Sequence, residues 1–343
     1  MVYEAEFMEK QKSSIVLSVI VSTYNRSRLV CKNLRRMLRC KSENIEFIVG
    51  DNASEDDTLE QLHKIEDSRL KIFHNEENYG MPNILLLSYN ALGKYFIFVN
   101  DRDYIKAEDL DELCAKLAVI KNCDFISTAH MPKLKEGYYK GWIMPTIFFR
   151  SRHPGTLIYS TQFFRQSVNR KVLEKKIKNG EVTLRVPFEV LCNAKRVYVS
   201  SKYVINQPRN REQIPQLRKE VWGGVYILPQ TRIEEYGAFV QESRNWTRYP
   251  MIKYILLAKY VDSLRTVMQE YYSCLKKKGF TGRYHCAEYK PYEWAKNGVV
   301  FTKNILFEEN GLDGKLKGMM LLVTPIIYIE STYYVFRIWW YSR

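Results

Sequence analysis

Four short β-rich runs, each followed by a polar turn and a stretch of helical period, fill roughly the first hundred residues, and this alternation constrains the fold more than any other feature. Ile15–Ser22 runs into the turn Thr23-Tyr24-Asn25. Ser27–Cys40 then sets Val30, Leu34, Met37 and Leu38 on one helical face, with Arg35, Arg36 and Arg39 on the other. Ile45–Val49 is a second strand that leaves through Gly50-Asp51-Asn52-Ala53. Ser54, with Asp57 three residues on, reads as a capping-box start for a helix carrying Leu59, Leu62 and Ile65. Leu70–Phe73 is a third strand, Pro82 suits the first position of a helix reaching about Leu92, and Tyr95–Val99 is a fourth strand. Repeated βα units of this length predict an α/β fold with a mainly parallel, Rossmann-like sheet flanked by helices. Ligands of such sheets bind beyond the carboxyl ends of the strands. Thr23-Tyr24-Asn25, Asp51-Asn52 and Asn100-Asp101-Arg102-Asp103 are therefore the residues to examine for chemistry.

After about residue 130 the pattern loosens. Short β-like runs, Ile147–Phe149 and Val197–Val199, alternate with loops such as Arg152-His153-Pro154-Gly155, and Met251–Lys276 returns to a helical period. The chain divides by pattern into 1–130, 131–245 and a helical extension over 246–343. Charge follows the same division. Residues 1–130 carry 17 basic and 21 acidic side chains, net −4, whereas 131–220 carry 19 and 6, net +13. An acidic part suited to a metal or neutral ligand thus precedes a basic part suited to an anion; a solvated basic face is the alternative.

Several chemistries are excluded. Seven cysteines form no CxxC pair, and five histidines form no HExxH, so neither a disulfide framework nor a zinc site is indicated. No GxGxxG follows the first strand, no GxxxxGK[ST] occurs, and no serine nucleophile elbow is present. The first fourteen residues are polar and mixed in charge, unlike a secretory signal, and a reducing compartment is expected. The longest nearly apolar run, Gly318–Ile329, is interrupted by Thr324 and Pro325 and falls short of the ~20 residues of a spanning helix.

What remains is metal-assisted transfer at the strand ends. Asp101 and Asp103 stand two apart after a buried strand. Their carboxylate oxygens suit a hard divalent cation that shares its coordination with substrate phosphates. A DxD pair alone is weak evidence, because a second one, Asp109-Leu110-Asp111, lies inside an expected helix. Turn formation or helix capping is the competing role for both pairs.

Ser18-Val19-Ile20-Val21-Ser22-Thr23-Tyr24-Asn25-Arg26 resembles the opening strand and turn of the family 2 glycosyltransferases, which have the GT-A fold. The resemblance continues through Phe47–Thr58, Asn78-Tyr79-Gly80-Met81-Pro82-Asn83 and Gly93–Asp103, four motifs in order over residues 15–105. It implies an inverting transfer from a nucleotide-diphosphate sugar, most often UDP-linked, with Mn²⁺ or Mg²⁺. Thr23, Tyr24, Asn25, Asn83 and Asp101 would border the nucleotide, Asp51 would accept a hydrogen bond from its base, and Asp101 with Asp103 would hold the metal and diphosphate. Arg102 stands where many relatives have an acid. The resemblance places the general base in Pro187-Phe188-Glu189-Val190-Leu191-Cys192, making Glu189 first choice and Glu181 second, while His153 could border the acceptor.

The subset with asparagine at position 83 resembles bacterial enzymes of capsule, O-antigen and related surface polysaccharide synthesis, which implies a glycan or polyprenyl-diphosphate-linked acceptor. Independently, the C-terminal segment pairs Met319, Leu321, Trp339 and Trp340 with Lys315, Lys317, Arg337 and Arg343, the composition of a peripheral membrane contact; packing on the core is the alternative. A cytoplasmic protein at the inner membrane face follows. Three rival readings stand beside this one: a nucleotidyltransferase, whose basic glycine loop is missing here; a nucleic-acid binder, whose strand-end aspartates would repel phosphate; and an inactive glycan-binding relative.

Overall fold

The computed structural model describes residues 15–80, 82–129, 134–140, 154–178, 194–202 and 204–206, with 333, 336 and 340 near the C-terminus. His153, Glu181, Glu189, the Ile147–Phe149 run and the Met251–Lys276 helix lie outside the described residues. The chain divides into two compact units, Met1–Pro208 and Arg209–Arg343.

The first four strands are β1 (Leu17–Thr23), β2 (Ile45–Asp51), β3 (Leu70–His74) and β4 (Tyr95–Asn100). They alternate with helices α1 (Ser27–Met37), α2 (Thr58–His63) and α3 (Asn83–Leu87). After them come β5 (Tyr104–Ile105), α4 (Ala107–Val119), β6 (Phe125–Ser127), β7 (Gly137–Lys140), β8 (Leu157–Ser160), α5 (Thr161–Ser167), α6 (Arg170–Lys178), β9 (Arg196–Val199) and β10 (Ile205–Asn206). Eight strands form one sheet in the order β3-β2-β1-β4-β8-β6-β9-β7, and β5 pairs with β10 in a separate ribbon. Strands β3, β2, β1 and β4 run parallel, as the βα alternation requires. β8 lies antiparallel between β4 and β6, so the sheet is mixed beyond the fourth strand.

Both faces are covered, and the strands read as nearly continuous apolar runs for that reason. Leu17, Val19 and Val21 face a core with Val30, Leu34 and Met37 of α1 and Leu110, Leu113 and Leu117 of α4. Ile20, Ile48, Phe96 and Phe98 face the other core, with Ile84 and Leu85 of α3, Phe164 of α5 and Leu173 and Ile177 of α6.

At the amino edge a buried acid holds the layers in register. Glu46, 1% exposed, accepts from the Ser18 hydroxyl at 2.6 Å, from the Leu92 and Gly93 amides and from Lys71 Nζ at 2.6 Å. This clamp explains why the third helix ends early. α3 stops at Leu87 and a 3₁₀ turn, Ser88–Asn90, replaces the expected continuation to Leu92, because the chain must turn to present two amides to Glu46. Gly93 is needed there, since a Cβ would lie 2.7 Å from the Ser18 nitrogen.

Two other expectations are corrected. The first helix ends at Met37 rather than Cys40. The departing chain is gathered by Arg69, whose guanidinium donates to the carbonyls of Leu38, Cys40 and Ser42 at 2.6, 2.9 and 3.1 Å. The capping box Ser54/Asp57 does not form. Ser54 gives its hydroxyl to buried Asp51, and the start of α2 is held instead by Asp56, which accepts from the Thr58 amide at 2.9 Å. The second DxD is structural. It lies within α4, where Asp111 accepts from the Lys41 and Ser42 amides and Asp109 pairs with Lys202 at 2.8 Å.

Tyr333, Phe336 and Trp340 are helical and exposed, with the Phe336 and Trp340 rings 6.2 Å apart. No helix among the described residues is long and apolar enough to cross a membrane.

Two stability predictions follow from the packing. Tyr159 is fully buried among Phe96, Phe98, Phe125 and Phe164, and its hydroxyl has no hydrogen-bond partner among the described residues. Tyr159→Phe should therefore be neutral or stabilising by up to about 1 kcal/mol in a denaturant titration; a clear loss would reveal a partner for the hydroxyl. Glu136 ties α4 to the far edge of the sheet. The Lys116 ammonium bonded to it, followed by the Ser201 hydroxyl, holds its carboxyl at about 2, below the ordinary 4.5. The lowered value means its stabilisation is complete above about 4.5 and is lost as pH falls toward 2. Melting curves should show wild type losing its advantage over Glu136→Gln across that interval, and an advantage independent of pH would contradict the assignment.

Candidate active site

The register of the parallel strands aligns their carboxyl ends. Thr23 is opposite Asp51, Ser22 opposite Asn100, and Asp51 opposite His74. One edge of the sheet therefore presents polar groups from four strands, and two turns fold back onto it.

Asp101, one residue past β4, is 5% exposed and is the most heavily engaged of these groups. Its carboxylate accepts from Arg26 Nη1 at 2.7 and 3.0 Å and from the Thr23 hydroxyl at 3.2 Å, while Asn33 of α1 donates to its backbone carbonyl at 2.9 Å. Burial pushes the Asp101 carboxyl up, opposed by the charge and hydrogen bonds of Arg26. Asp103 is 1% exposed and accepts from Asn100 Nδ2 at 2.9 Å, and its own amide closes the turn onto the Asn100 carbonyl at 2.9 Å. The turn is fixed beyond Asp103 by the β5–β10 ribbon, in which Tyr104 is opposite Asn206. Arg36 stacks on the Tyr104 ring at 4.7 Å and reaches Asn33 at 3.4 Å, tying the ribbon to α1.

Asp51, at the end of β2, is fully buried. The Ser54 hydroxyl donates to Oδ1, the Ser54 amide to Oδ2 at 3.3 Å, and His74 Nδ1 lies 2.9 Å from Oδ2. A carboxylate offers about four lone-pair directions, and these contacts use three of those on Asp51. Each of the two turns holds a residue in the left-handed region, Asn25 at φ 51° in the turn after β1 and Ala53 at φ 62° in the turn that carries Ser54. The two turns brace each other, because the Asn25 amide donates to Ser54 Oγ at 2.9 Å and the Glu55 amide to Asn25 Oδ1 at 2.7 Å.

Behind the edge runs a chain of side-chain amides. Asn83 donates to Ser22 Oγ at 3.0 Å and accepts from Asn75 at 2.8 Å; Asn75 also donates to Asn52 at 2.9 Å, and Asn52 to Asn78 at 2.6 Å. Asn83 is 1% exposed, so it acts on the edge through Ser22 and Asn75. Tyr24 is half-buried and Asn25 exposed at the rim.

The structure thus brings Thr23, Tyr24, Asn25, Asp51, Asp101 and Asp103 to one edge, with Asn83 beneath it. Sequence reasoning missed four contributors. His74 was available to the strand-end rule, since it is the last residue of β3. Arg26 follows the first turn directly. Asn33 and Ser54 gave no signal, because an asparagine on a helix and a serine at an apparent cap have commoner uses.

The donor set fits a hard divalent cation with further ligands from a substrate. Two carboxylates project from one tight turn at the edge. Among the described residues no group of three or more His, Cys, Asp or Glu could hold an ion on protein ligands alone.

Residues 18–175 match the family described as Glycosyl transferase family 2. The chain is 26% identical over 266 residues to the poly(ribitol-phosphate) beta-N-acetylglucosaminyltransferase TarS of Staphylococcus aureus, covering 71% of this chain and 43% of that protein. It is 24% identical over 277 residues to a GalNAc(5)-diNAcBac-PP-undecaprenol beta-1,3-glucosyltransferase of Campylobacter jejuni, covering 76% and 87% of the two chains. The chain spans less than half the length of several curated relatives it matches. A crystal structure of TarS 1-349 in complex with UDP-GlcNAc superposes with a TM-score of 0.56 at 17% identity, covering 94% of this chain and 89% of that one. The fold is that of the GT-A transferases, a large, mostly parallel sheet flanked by helices.

Proposed function

We propose, from the membership of residues 18–175 in glycosyl transferase family 2, that the strand-end edge binds a nucleotide-diphosphate sugar, most often a UDP-sugar, and passes the sugar to a glycan acceptor with inversion. The carrying observation is three buried carboxylates, Asp51, Asp101 and Asp103, at the carboxyl ends of β2 and β4, the two parallel strands that flank β1. Buried titratable groups gathered at one edge of such a sheet are candidates for a binding or catalytic site. A TarS structure binds UDP-GlcNAc, which supports a uridine nucleotide here.

In this reading Asp51 accepts from the nucleobase. Thr23, Tyr24 and Asn25 border the nucleoside. Asp101 and Asp103 would hold Mn²⁺ or Mg²⁺, which when bound neutralises charge on the leaving diphosphate. A bond forms between an acceptor hydroxyl oxygen and the anomeric carbon as the bond from that carbon to the diphosphate oxygen breaks, and a carboxylate takes the hydroxyl proton. Glu189 is the first candidate for that base and Glu181 the second, with His153 bordering the acceptor. The acceptor is a polyprenyl-diphosphate-linked glycan of capsule or O-antigen type; the name of the C. jejuni relative, which specifies an undecaprenol-linked substrate, supports the class. The 246–343 extension would rest on the inner membrane face, a placement suited to exposed Tyr333, Phe336 and Trp340.

Calorimetry of UDP with Mn²⁺ and with EDTA tests the donor site. Binding should be tighter with metal, and Asp103→Ala should remove the difference; equal binding under both conditions would sink the reading of Asp101 and Asp103. For the base, Glu189→Gln should lower sugar transfer by about 10²–10⁴ while UDP binding persists. If transfer survives, the assignment passes to Glu181.

A further inference from the structure

Asp101 already has a cation. Arg26 Nη1 sits 2.7 Å from Oδ1 and 3.0 Å from Oδ2, and the two side chains are 18% and 5% exposed. The backbone of Arg26 is fixed: its amide donates to Thr58 Oγ1 at 3.1 Å, and its carbonyl accepts from the Leu29 and Val30 amides at the start of α1. The guanidinium therefore extends from an anchored point onto the first carboxylate of the pair. A divalent cation on the same oxygens would lie a few ångströms from that guanidinium, and two like charges at that separation repel strongly in a partly buried site.

We propose that Arg26 is a resident counter-ion of Asp101 that gives up this carboxylate only when a diphosphate arrives. A diphosphate offers the planar guanidinium a bidentate anionic partner, and arginine suits such geometry. Once Arg26 turns to the phosphate oxygens, Asp101 is released to the divalent cation that accompanies them. Metal and nucleotide then bind as a unit. In the empty site the buried carboxylate remains neutralised, so the edge neither captures metal alone nor carries an uncompensated charge. Thr23 and Asn33 keep Asp101 in place during the exchange, one through its side chain and the other through its backbone carbonyl. Arg26 is in this sense a positioning residue that couples metal binding to donor binding, and the inference rests on the donor reading above.

The test measures Mn²⁺ binding by the EPR signal of the free ion, with and without UDP, on wild type, Arg26→Gln and Arg26→Lys. Wild type should bind Mn²⁺ weakly alone and much more tightly with UDP. Arg26→Gln should tighten binding of Mn²⁺ alone by roughly tenfold or more, the effect of removing one cation from a partly buried carboxylate. It should also reduce the gain that UDP provides. Arg26→Lys, which keeps a charge, should bind Mn²⁺ alone as weakly as wild type. A folded Arg26→Gln with unchanged Mn²⁺ affinity overturns the assignment of Arg26 and leaves the donor site standing. Should that variant fail to fold, the wild type still decides, because Mn²⁺ binding equally tight with and without UDP refutes the coupling. Absence of any UDP binding by wild type removes the donor reading itself.

Discussion

The carboxyl edge of the sheet depends on one compensated charge. Asp101 is nearly excluded from water, and an isolated carboxylate in that position would be untenable. Arg26 supplies the opposite charge, Thr23 a hydroxyl, and Asn33 a bond to the backbone. These three residues come from the turn after β1, the end of β1 and the interior of α1, so neutralising Asp101 also fixes where α1 begins relative to β4. Removing one partner of a buried pair typically costs about 3–5 kcal/mol, because the remaining charge stays buried. The turn carrying Asp101 and Asp103 is thus coupled directly to the first βα unit.

A second acid performs the corresponding task at the opposite edge. Glu46 is the second and Asp51 the last residue of β2, which is buried throughout. Glu46 gathers the loop entering β4, through the Leu92 and Gly93 amides, and fixes it to Ser18 of β1. Asp51 gathers the turn leaving β2 and the end of β3, through Ser54 and His74. The difference between them is saturation. Glu46 is shared among two amides, a hydroxyl and an ammonium, which suits a purely structural clamp. Asp51 takes three contacts and stands at the edge where ligands of such sheets bind.

Strand and helix order in the first hundred residues was legible because both faces of β1, β2 and β4 are buried, and their apolar runs are nearly continuous. The strand-end rule placed Asp51, Asp101 and Asp103 along one edge, where the register of β2, β1 and β4 puts them. Helix ends were less legible. Ser54 looks like a cap in sequence, yet a buried carboxylate three residues away competes for its hydroxyl and wins, and nothing local announces that Asp51 will be buried. The early end of α1 depends on Arg69, some thirty residues distant, collecting three carbonyls. Such contacts follow from tertiary structure and leave no periodicity. Arg26 falls in the same class: its neighbours suggest a turn, and only the register of β1 against β4 puts it on Asp101.

The asparagine chain braces the edge with neutral groups. Asn52 and Asn83 each give and receive hydrogen bonds, Asn75 donates to both of them, and Asn78 accepts from Asn52, with the Tyr79 and Gly80 amides joining the line. A side-chain amide carries both donor and acceptor, so such a line can satisfy buried polar groups without net charge. Charged side chains in the same places would add to the field of Asp51 and Asp101 and disturb the balance that Arg26 maintains. The neutral amides separate two duties: they fix the backbone of the 75–80 loop, and they leave the electrostatics of the edge to the three aspartates, Arg26 and His74. An anionic ligand with its own cation can then change the charge at that edge while the asparagine frame beneath it stays in place.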